Sequence, residues 1–199
     1  MLKSHSFNKK NDFIAGWYID DLNLCQEIID YQYIAQDRQP GKIGINSTSH
    51  LHNIDESVKK SFDCCLNKNE KLLNRYLNQL NLVVQEYIKK YPMCSDATGH
   101  WTIVSPVNIQ HYEPKGGYFN WHSERVNANP GNTNRHLVFM TYLNTVEDAG
   151  ETEFYHQKLK VKPKKGLTLI WPADWTFLHR GIASPTQDKC IVTGWFDFI

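Results

Sequence analysis

The second half of the chain has the pattern of many short strands, and this limits the folds that the sequence can adopt. After Gly99, stretches rich in valine, isoleucine, threonine and aromatic residues alternate with clusters of glycine, proline, asparagine and aspartate. The predicted strands cover residues 101–112, 118–122, 136–144, 151–155, 158–161, 166–171 and 189–198. Short strands without intervening helices predict an antiparallel sandwich or barrel of jelly-roll type.

The first half has mainly helical periodicity. Asp20 or Asp21 can cap a helix with an apolar face formed by Leu24, Cys25, Ile28 and Ile29. A longer apolar stripe ends at Pro92 and comprises Leu73, Tyr76, Leu77, Leu80, Val84, Tyr87, Ile88 and Tyr91. We expect one domain over residues 1–199, mainly β with α. Helical support at about 12–95 would pack on one sheet of a jelly-roll core at about 99–199.

Composition excludes several classes of partner. The 199 residues include 22 Lys and Arg and 21 Asp and Glu, so a formal charge of +1 gives no general attraction to nucleic acid or an acidic membrane. No apolar run approaches the roughly 20 residues of a membrane helix, and residues 1–10 do not resemble a secretory signal. The five cysteines show no CxxC spacing, which favours reduced thiols. The sequence therefore predicts a cytoplasmic protein with no nucleic-acid or membrane partner.

His122, Glu124 and His179 form a candidate metal site. Side chains at i and i+2 of a strand share a face, so His122 and Glu124 would project together. His179 comes after the predicted 166–171 strand, and strands distant in sequence can face each other across a jelly roll. Two imidazoles and one carboxylate are the facial ligand set of non-haem Fe(II), which leaves the other coordination positions open.

Lys189 and Tyr112 are candidates for binding an anionic co-substrate. On the last predicted strand, Lys189 shares a face with Ile191 and Trp195, where an unpaired cation would be costly to bury. A carboxylate of a bound ligand would remove that cost, whereas the alternative is a lysine at the exposed start of a strand. The Tyr112 hydroxyl could donate to the same ligand, or Tyr112 could be an ordinary core residue. A metal with an anionic co-substrate indicates an oxygenase.

Several motifs in this half occur in a consistent order over roughly residues 100–199. They are Asn108-Ile109-Gln110-His111-Tyr112-Glu113-Pro114-Lys115-Gly116-Gly117-Tyr118, His122-Ser123-Glu124, Thr141-Tyr142-Leu143-Asn144, Ala149-Gly150-Glu151-Thr152-Glu153-Phe154 and Val161-Lys162-Pro163-Lys164-Lys165-Gly166. Together they resemble the 2-oxoglutarate/Fe(II)-dependent dioxygenases of the prolyl 4-hydroxylase type. The first hundred residues contain no motif of this family.

The resemblance implies a double-stranded β-helix, the cupin-like jelly roll. It implies that His122, Glu124 and His179 bind Fe(II), and that Lys189 pairs with the distal carboxylate of 2-oxoglutarate. Tyr112 and Tyr142 would be hydrogen-bonding residues for this co-substrate. Dioxygen would be the second co-substrate, and ascorbate the reductant. Trp195 matches an aromatic residue of the last strand and is expected to be a packing residue.

Two positions depart from the family pattern. Glu124 stands where the family usually has aspartate, which adds one methylene to the reach of the carboxylate. Because related halogenating enzymes need this position vacated for halide, the carboxylate disfavours halogenation. Ala149 replaces the first glycine of a Gly-Gly-Glu-Thr motif, a minor change in a turn.

The favoured function is hydroxylation of a prolyl or other protein side chain, by analogy with the family. One alternative is a hydroxylase of a free amino acid or small metabolite, and another is a catalytically silent, cupin-like metal-binding module. Arg125 and residues 127–134 could form a lid or a solvated loop. Arg180 could face either the substrate or the surface.

Overall fold

The structure is a computed structural model that describes residues 2–43, 54–126 and 130–199. Its helices are α1 (Leu22–Ile34), α2 (Glu70–Lys90) and α3 (Met93–Asp96), with 3-10 turns at Leu66–Lys68, Pro130–Asn132 and Trp175–Phe177. Its strands are β1 (Ala15–Tyr18), β2 (Gln39–Pro40), β3 (Lys59–Lys60), β4 (Phe62–Cys65), β5 (Trp101–Thr102), β6 (Asn108–Tyr112), β7 (Gly117–Tyr118), β8 (Arg135–Tyr142), β9 (Thr152–Phe154), β10 (Leu159–Val161), β11 (Leu167–Pro172), β12 (His179–Gly181) and β13 (Lys189–Phe198).

In the described residues, two larger antiparallel sheets form most of the β half, and β3 pairs with β7 in a separate two-stranded sheet. The larger has the order β1-β11-β8-β13-β6-β4-β2, with β5 added to β13, and the smaller has the order β10-β9-β12. β13 lies between β8 and β6, so that Ile191 is opposite both Tyr142 and Gln110. The inner face of the large sheet and the small sheet share one apolar cluster, which includes Phe154, Trp171 and Ile191. The predicted double-stranded β-helix is confirmed.

The helices cover the outer face of the large sheet. Residues of α1 and α2 join Phe139, Ile170 and Val192 of the sheet in a second apolar cluster. Asp21 accepts from the Leu24 N–H at 3.1 Å and begins α1 as predicted. α2 ends at Lys90, two residues before Pro92, because proline lacks the backbone donor that a helix needs.

A buried hydroxyl chain joins α2 to the sheet. The Tyr76 hydroxyl lies 2.8 Å from Thr141 Oγ1, which lies 2.7 Å from Thr168 Oγ1, and all three side chains are fully buried. We expect Tyr76→Phe to lower the free energy of unfolding by about 1–2 kcal/mol, because it removes one buried hydrogen bond. Urea denaturation measures this change. The exposed Tyr155→Phe is the control and should change stability by less than about 0.5 kcal/mol.

Several predicted boundaries were wrong. The 101–112 strand is divided into β5 and β6, since Pro106 has no N–H and disfavours regular pairing around it. The mainly helical reading of residues 12–95 missed β1 to β4, and β1, β2 and β4 belong to the large sheet. These strands are short and extend a sheet whose centre lies far away in sequence, so local periodicity is weak there. The single-domain assignment stays a prediction.

The described residues bear on two predictions, the lack of a membrane-spanning helix and the reduced state of the cysteines. In this part of the chain, no helix has the length and apolar character needed to traverse a bilayer. All five cysteines are free, as predicted. The cytoplasmic location stays a prediction.

Candidate active site

A single backbone bridge brings the two candidate imidazoles together. His122 and His179 exchange N–H···O bonds of 3.0 Å in both directions, and their ring centroids lie 4.3 Å apart. The predicted 118–122 strand is wrong in extent, because β7 ends at Tyr118 and His122 forms an isolated bridge. Glu124 lies in a bend and its N–H donates to Ala173 O at 3.1 Å. This bond and the bridge, rather than strand alternation, make the side chains converge.

Each imidazole has one nitrogen committed to a backbone carbonyl. His122 Nδ1 lies 3.0 Å from Asn120 O, and His179 Nδ1 lies 3.0 Å from Phe177 O. Since a carbonyl only accepts, both Nδ1 atoms donate, which leaves the Nε2 atom of each ring directed at the cluster. Glu124 Oε1 lies 3.6 Å from Nε2 of His122 and 3.4 Å from Nε2 of His179. The ligand atoms of these three residues lie within 4.8 Å of one another, so they could hold one metal ion.

The second oxygen of Glu124 has its own partners. Oε2 accepts from Arg135 Nη1 at 3.2 Å and from Trp195 Nε1 at 3.0 Å, and the Arg135 guanidinium stacks 3.5 Å from the Trp195 ring centre. Both partners lie on the large sheet, in β8 and β13. They fix the longer glutamate side chain with Oε1 turned toward the imidazoles. Trp195, predicted to be a packing residue, therefore also donates a hydrogen bond to a candidate ligand.

The charge states of the cluster suit metal binding. Burial opposes ionisation of Glu124, but the adjacent His122 and His179 outweigh it, so the pKa of the carboxyl lies well below its usual value. Burial, with a smaller effect of His179, lowers the pKa of His122. At neutral pH the site thus offers a carboxylate and a neutral His122 imidazole, the forms that bind a metal.

A cleft of about 1530 Å³ is lined by the triad and by residues of β2, β4, β6, β8, β12 and β13. Lys189 lies in its wall and is 3 % exposed. Its Nζ donates to Gly150 O at 3.1 Å and lies 4.9 Å from the Tyr112 ring centre. A Cβ at Gly181 would lie 3.4 Å from this Nζ, so the glycine leaves space beside the ammonium group. Burial lowers the pKa of Lys189 to about 8, although Glu151 acts in the opposite direction.

The two predicted tyrosines differ in their access to this cleft. Tyr112 lines it, and its hydroxyl donates to Gln110 Oε1 at 2.6 Å. Tyr142 is fully buried and its hydroxyl donates to Thr152 Oγ1 at 2.7 Å. Among the described lining residues Thr152, rather than Tyr142, reaches the cleft. The Thr152 hydroxyl accepts from Tyr142 and lies 4.0 Å from Met140 Sδ, to which it donates.

Thr152 and Arg135 were not among the predicted site residues. Thr152 is part of the Glu-Thr motif that supported the family resemblance, so the sequence did contain an indication of its place in the site. Arg135 is an ordinary strand arginine in the sequence.

The predicted lid included Arg125, which is held in place: its Nε donates to Arg135 O at 2.6 Å and its Nη1 lies 3.1 Å from Asp174. Residues 127–129 of the predicted lid lie outside the described residues.

Residues 107–197 match the 2OG-Fe(II) oxygenase superfamily, a segment that includes the triad and Lys189. This segment is a 2OG-Fe(II) oxygenase domain. No curated protein sequence matches the chain. The prediction of an Fe(II)/2-oxoglutarate-dependent dioxygenase is confirmed.

Solved structures similar to this oxygenase include three prolyl hydroxylases. They are a viral collagen prolyl hydroxylase from Paramecium Bursaria Chlorella virus-1 in its 2OG complex (TM-score 0.68, 18 % identity, covering 95 % of this chain and 98 % of that one), a Pseudomonas putida prolyl-4-hydroxylase (0.68, 13 %, 93 % and 92 %), and a Trichoplax adhaerens prolyl hydroxylase in complex with a hypoxia inducible factor peptide fragment (0.68, 14 %, 94 % and 84 %). At these identities the similarity shows a shared fold.

The cofactors of the oxygenase are Fe(II) and 2-oxoglutarate. The donor chemistry fits Fe(II), since two imidazole nitrogens and one carboxylate meet at an open cleft. A buried ammonium group in the same cleft fits an anionic co-substrate. In the described part of the chain, Lys189 has no carboxylate within ion-pair distance.

The affinity for 2-oxoglutarate should therefore depend on pH. Lys189 is cationic below its pKa of about 8 and becomes neutral above it. A dicarboxylate prefers the cation, so we expect KM for 2-oxoglutarate to rise as pH increases through 8. The value at pH 9 should be about ten-fold that at pH 7, because one pKa unit is a ten-fold change in protonation. Initial-rate measurements across this range test it, with Lys189→Met as the variant that should lack the rise.

Proposed function

We propose that this oxygenase hydroxylates a prolyl or other protein side chain within an extended polypeptide. In this proposal His122, Glu124 and His179 hold Fe(II), Lys189 binds the distal carboxylate of 2-oxoglutarate, and ascorbate is the reductant. The size of the cleft carries the proposal. Its volume of about 1530 Å³ exceeds the roughly 300–1,000 Å³ typical of a small-molecule pocket.

The cleft is lined by both polar and aromatic side chains, as a polypeptide substrate requires. Polar side chains that can hydrogen-bond a peptide backbone lie on the β4 and β6 side of the triad: Asp63, Asn108 and Gln110. Aromatic and cationic side chains lie on the other side: Trp121 and Arg180. A small metabolite would fill only part of the cleft volume. The similar structures are consistent with a peptide, since one of them is a complex with a peptide fragment.

The residues of the chain have separate tasks in this reaction. When bound, Fe(II) and 2-oxoglutarate supply the oxidative decarboxylation that activates dioxygen for oxidation of a C–H bond. The carbonyls of Asn120 and Phe177 keep the Nε2 atoms of the two histidines aimed at one point. Arg135 and Trp195 hold Glu124, which keeps its carboxylate turned toward the same point. Lys189 neutralises the co-substrate charge in a buried wall.

The test compares a peptide with small molecules. The protein is incubated with Fe(II), 2-oxoglutarate and ascorbate, together with a proline-rich peptide, free proline or no substrate. We expect the peptide to stimulate succinate formation and to gain the mass of one oxygen atom. Stimulation by free amino acids alone would support the small-metabolite alternative. Absence of substrate-stimulated succinate over a broad panel would favour a silent metal-binding module.

A further inference from the structure

Four aromatic side chains form a row that leaves the cleft over the small sheet, and we call it the aromatic row. It comprises Trp121, Tyr155, His156 and Trp175. Successive ring centroids lie 5.1, 5.1 and 5.7 Å apart, and each neighbouring pair is edge-to-face. Tyr155 is 54 % exposed and Trp175 is 66 % exposed, whereas most aromatic residues of the core are buried. Exposed aromatic surface of this kind commonly marks a binding site.

The loops that carry the row are fastened to one another. The Tyr155 N–H donates to Leu178 O at 2.9 Å, and Gln157 Nε2 donates to Thr176 O at 3.0 Å. The turn after β9 is therefore tied to the segment that carries Trp175. Because the rings are held before binding, little conformational entropy is lost when a ligand stacks on them.

The row begins inside the cleft. Trp121 directly precedes the candidate ligand His122 and lines the cleft together with Arg180. The Arg180 guanidinium lies 4.5 Å from the Trp121 ring centre and is held by two bonds to Glu153 Oε2, at 2.9 and 2.8 Å. A polypeptide whose target residue lies at the triad can thus continue past Trp121 onto Tyr155 without leaving the protein surface.

We propose that the aromatic row is a docking site for a proline-rich segment, in polyproline II conformation, that flanks the hydroxylated residue of the substrate. Rows of exposed aromatic rings recognise this conformation because proline rings stack on them and the extended segment is already ordered. The three ring-to-ring steps allow a path of at most about 16 Å, the length of about five residues of polyproline II. This inference rests on the proposed polypeptide substrate and adds a second site, outside the cleft, at which that substrate binds.

The binding test uses fluorescein-labelled decaproline with the full chain loaded with Mn(II) and 2-oxoglutarate. We expect fluorescence anisotropy to show saturable binding that Tyr155→Ala and Trp175→Ala each weaken at least five-fold. Tyr33→Ala is the matched control, since Tyr33 is 53 % exposed but lies on α1, and it should bind as the parent does. A labelled glycine–serine peptide of the same length should not bind.

A kinetic measurement separates docking from a structural role. With a proline-rich substrate, Tyr155→Ala and Trp175→Ala should raise the peptide KM at least five-fold and change kcat less than two-fold. Equal binding of decaproline to the parent and both variants, or no binding at all, would overturn the docking site. Binding that depends on the row but is accompanied by no peptide hydroxylation would instead overturn the proposed function and leave the docking site in place.

Discussion

Replacement of Glu124 by glutamine is expected to weaken metal binding by about 1,000-fold and to lower succinate formation by a similar factor. Glu124 is the anionic member of the triad, and its Oε1 lies 3.6 and 3.4 Å from the two imidazole Nε2 atoms. The amide has nearly the same shape but no charge. We expect the loss of this one anionic ligand to cost about 4 kcal/mol in the free energy of metal binding. That cost corresponds to a change of about 1,000-fold in Kd.

The choice of glutamine rather than alanine follows from the partners of Glu124. Arg135 is largely buried, with its side chain 12 % exposed, and its carboxylate partner is Glu124. Glu124→Ala would leave this cation unpaired, which can cost several kcal/mol of stability and confuse the result. In Glu124→Gln the amide oxygen can still accept from Arg135 and Trp195, so the fold should persist.

Isothermal titration with Mn(II) and a succinate assay measure the two effects separately. Glu147→Gln serves as the control, because Glu147 is exposed and pairs with Lys164 away from the triad. It should bind metal and produce succinate as the parent does. If Glu124→Gln bound Mn(II) as tightly as the parent while remaining folded, the ligand assignment would be wrong.

The features that the sequence predicts correctly are those that depend on interactions between residues close in the chain. Alternation along residues 189–198 correctly placed Lys189, Ile191 and Trp195 on the inner face, because strand alternation is local and does not depend on a partner. The convergence of His122 and His179 was also predicted, although by a different local geometry. The two side chains meet through a backbone bridge between segments 57 residues apart, and no local pattern specifies such a bridge.

The supporting residues could not be predicted for the same reason. Arg135 and Trp195 reach Glu124 from strands whose register is set by the whole sheet. Tyr142 was predicted to contact the co-substrate, but its hydroxyl on β8 donates to Thr152 of the facing small sheet, and Thr152 rather than Tyr142 lines the cleft. A contact between Tyr142 and the co-substrate stays a prediction, whereas Thr152 lines the cleft. A residue type in a motif therefore indicates the chemistry of the site, whereas strand register and the packing of the two sheets decide which side chain lines the cleft.

Lys189→Met is expected to make the protein more stable without co-substrate while it removes most of the response to 2-oxoglutarate. The pKa of Lys189 falls from 10.5 to about 8 on burial, which corresponds to a penalty of roughly 3 kcal/mol for the buried cation. This penalty is complete below pH 8 and decreases as pH rises from 8 toward 10.5, because the neutral form is tolerated. Loss of the hydrogen bond to Gly150 O offsets about 1 kcal/mol of the gain.

The functional loss should be larger than the gain in stability. Removing one partner of a buried charge pair costs about 2–5 kcal/mol, so we expect KM for 2-oxoglutarate to rise about 100-fold. Thermal unfolding with Mn(II) at pH 7 measures both effects. The variant should have the higher Tm alone, and 2-oxoglutarate at about 100 times its parental Kd should stabilise the parent by roughly 2.7 kcal/mol but the variant by only about 0.4 kcal/mol. Lys162→Met, at an exposed position, should behave as the parent. Equal stabilisation of Lys189→Met and the parent by 2-oxoglutarate would exclude Lys189 as the carboxylate anchor.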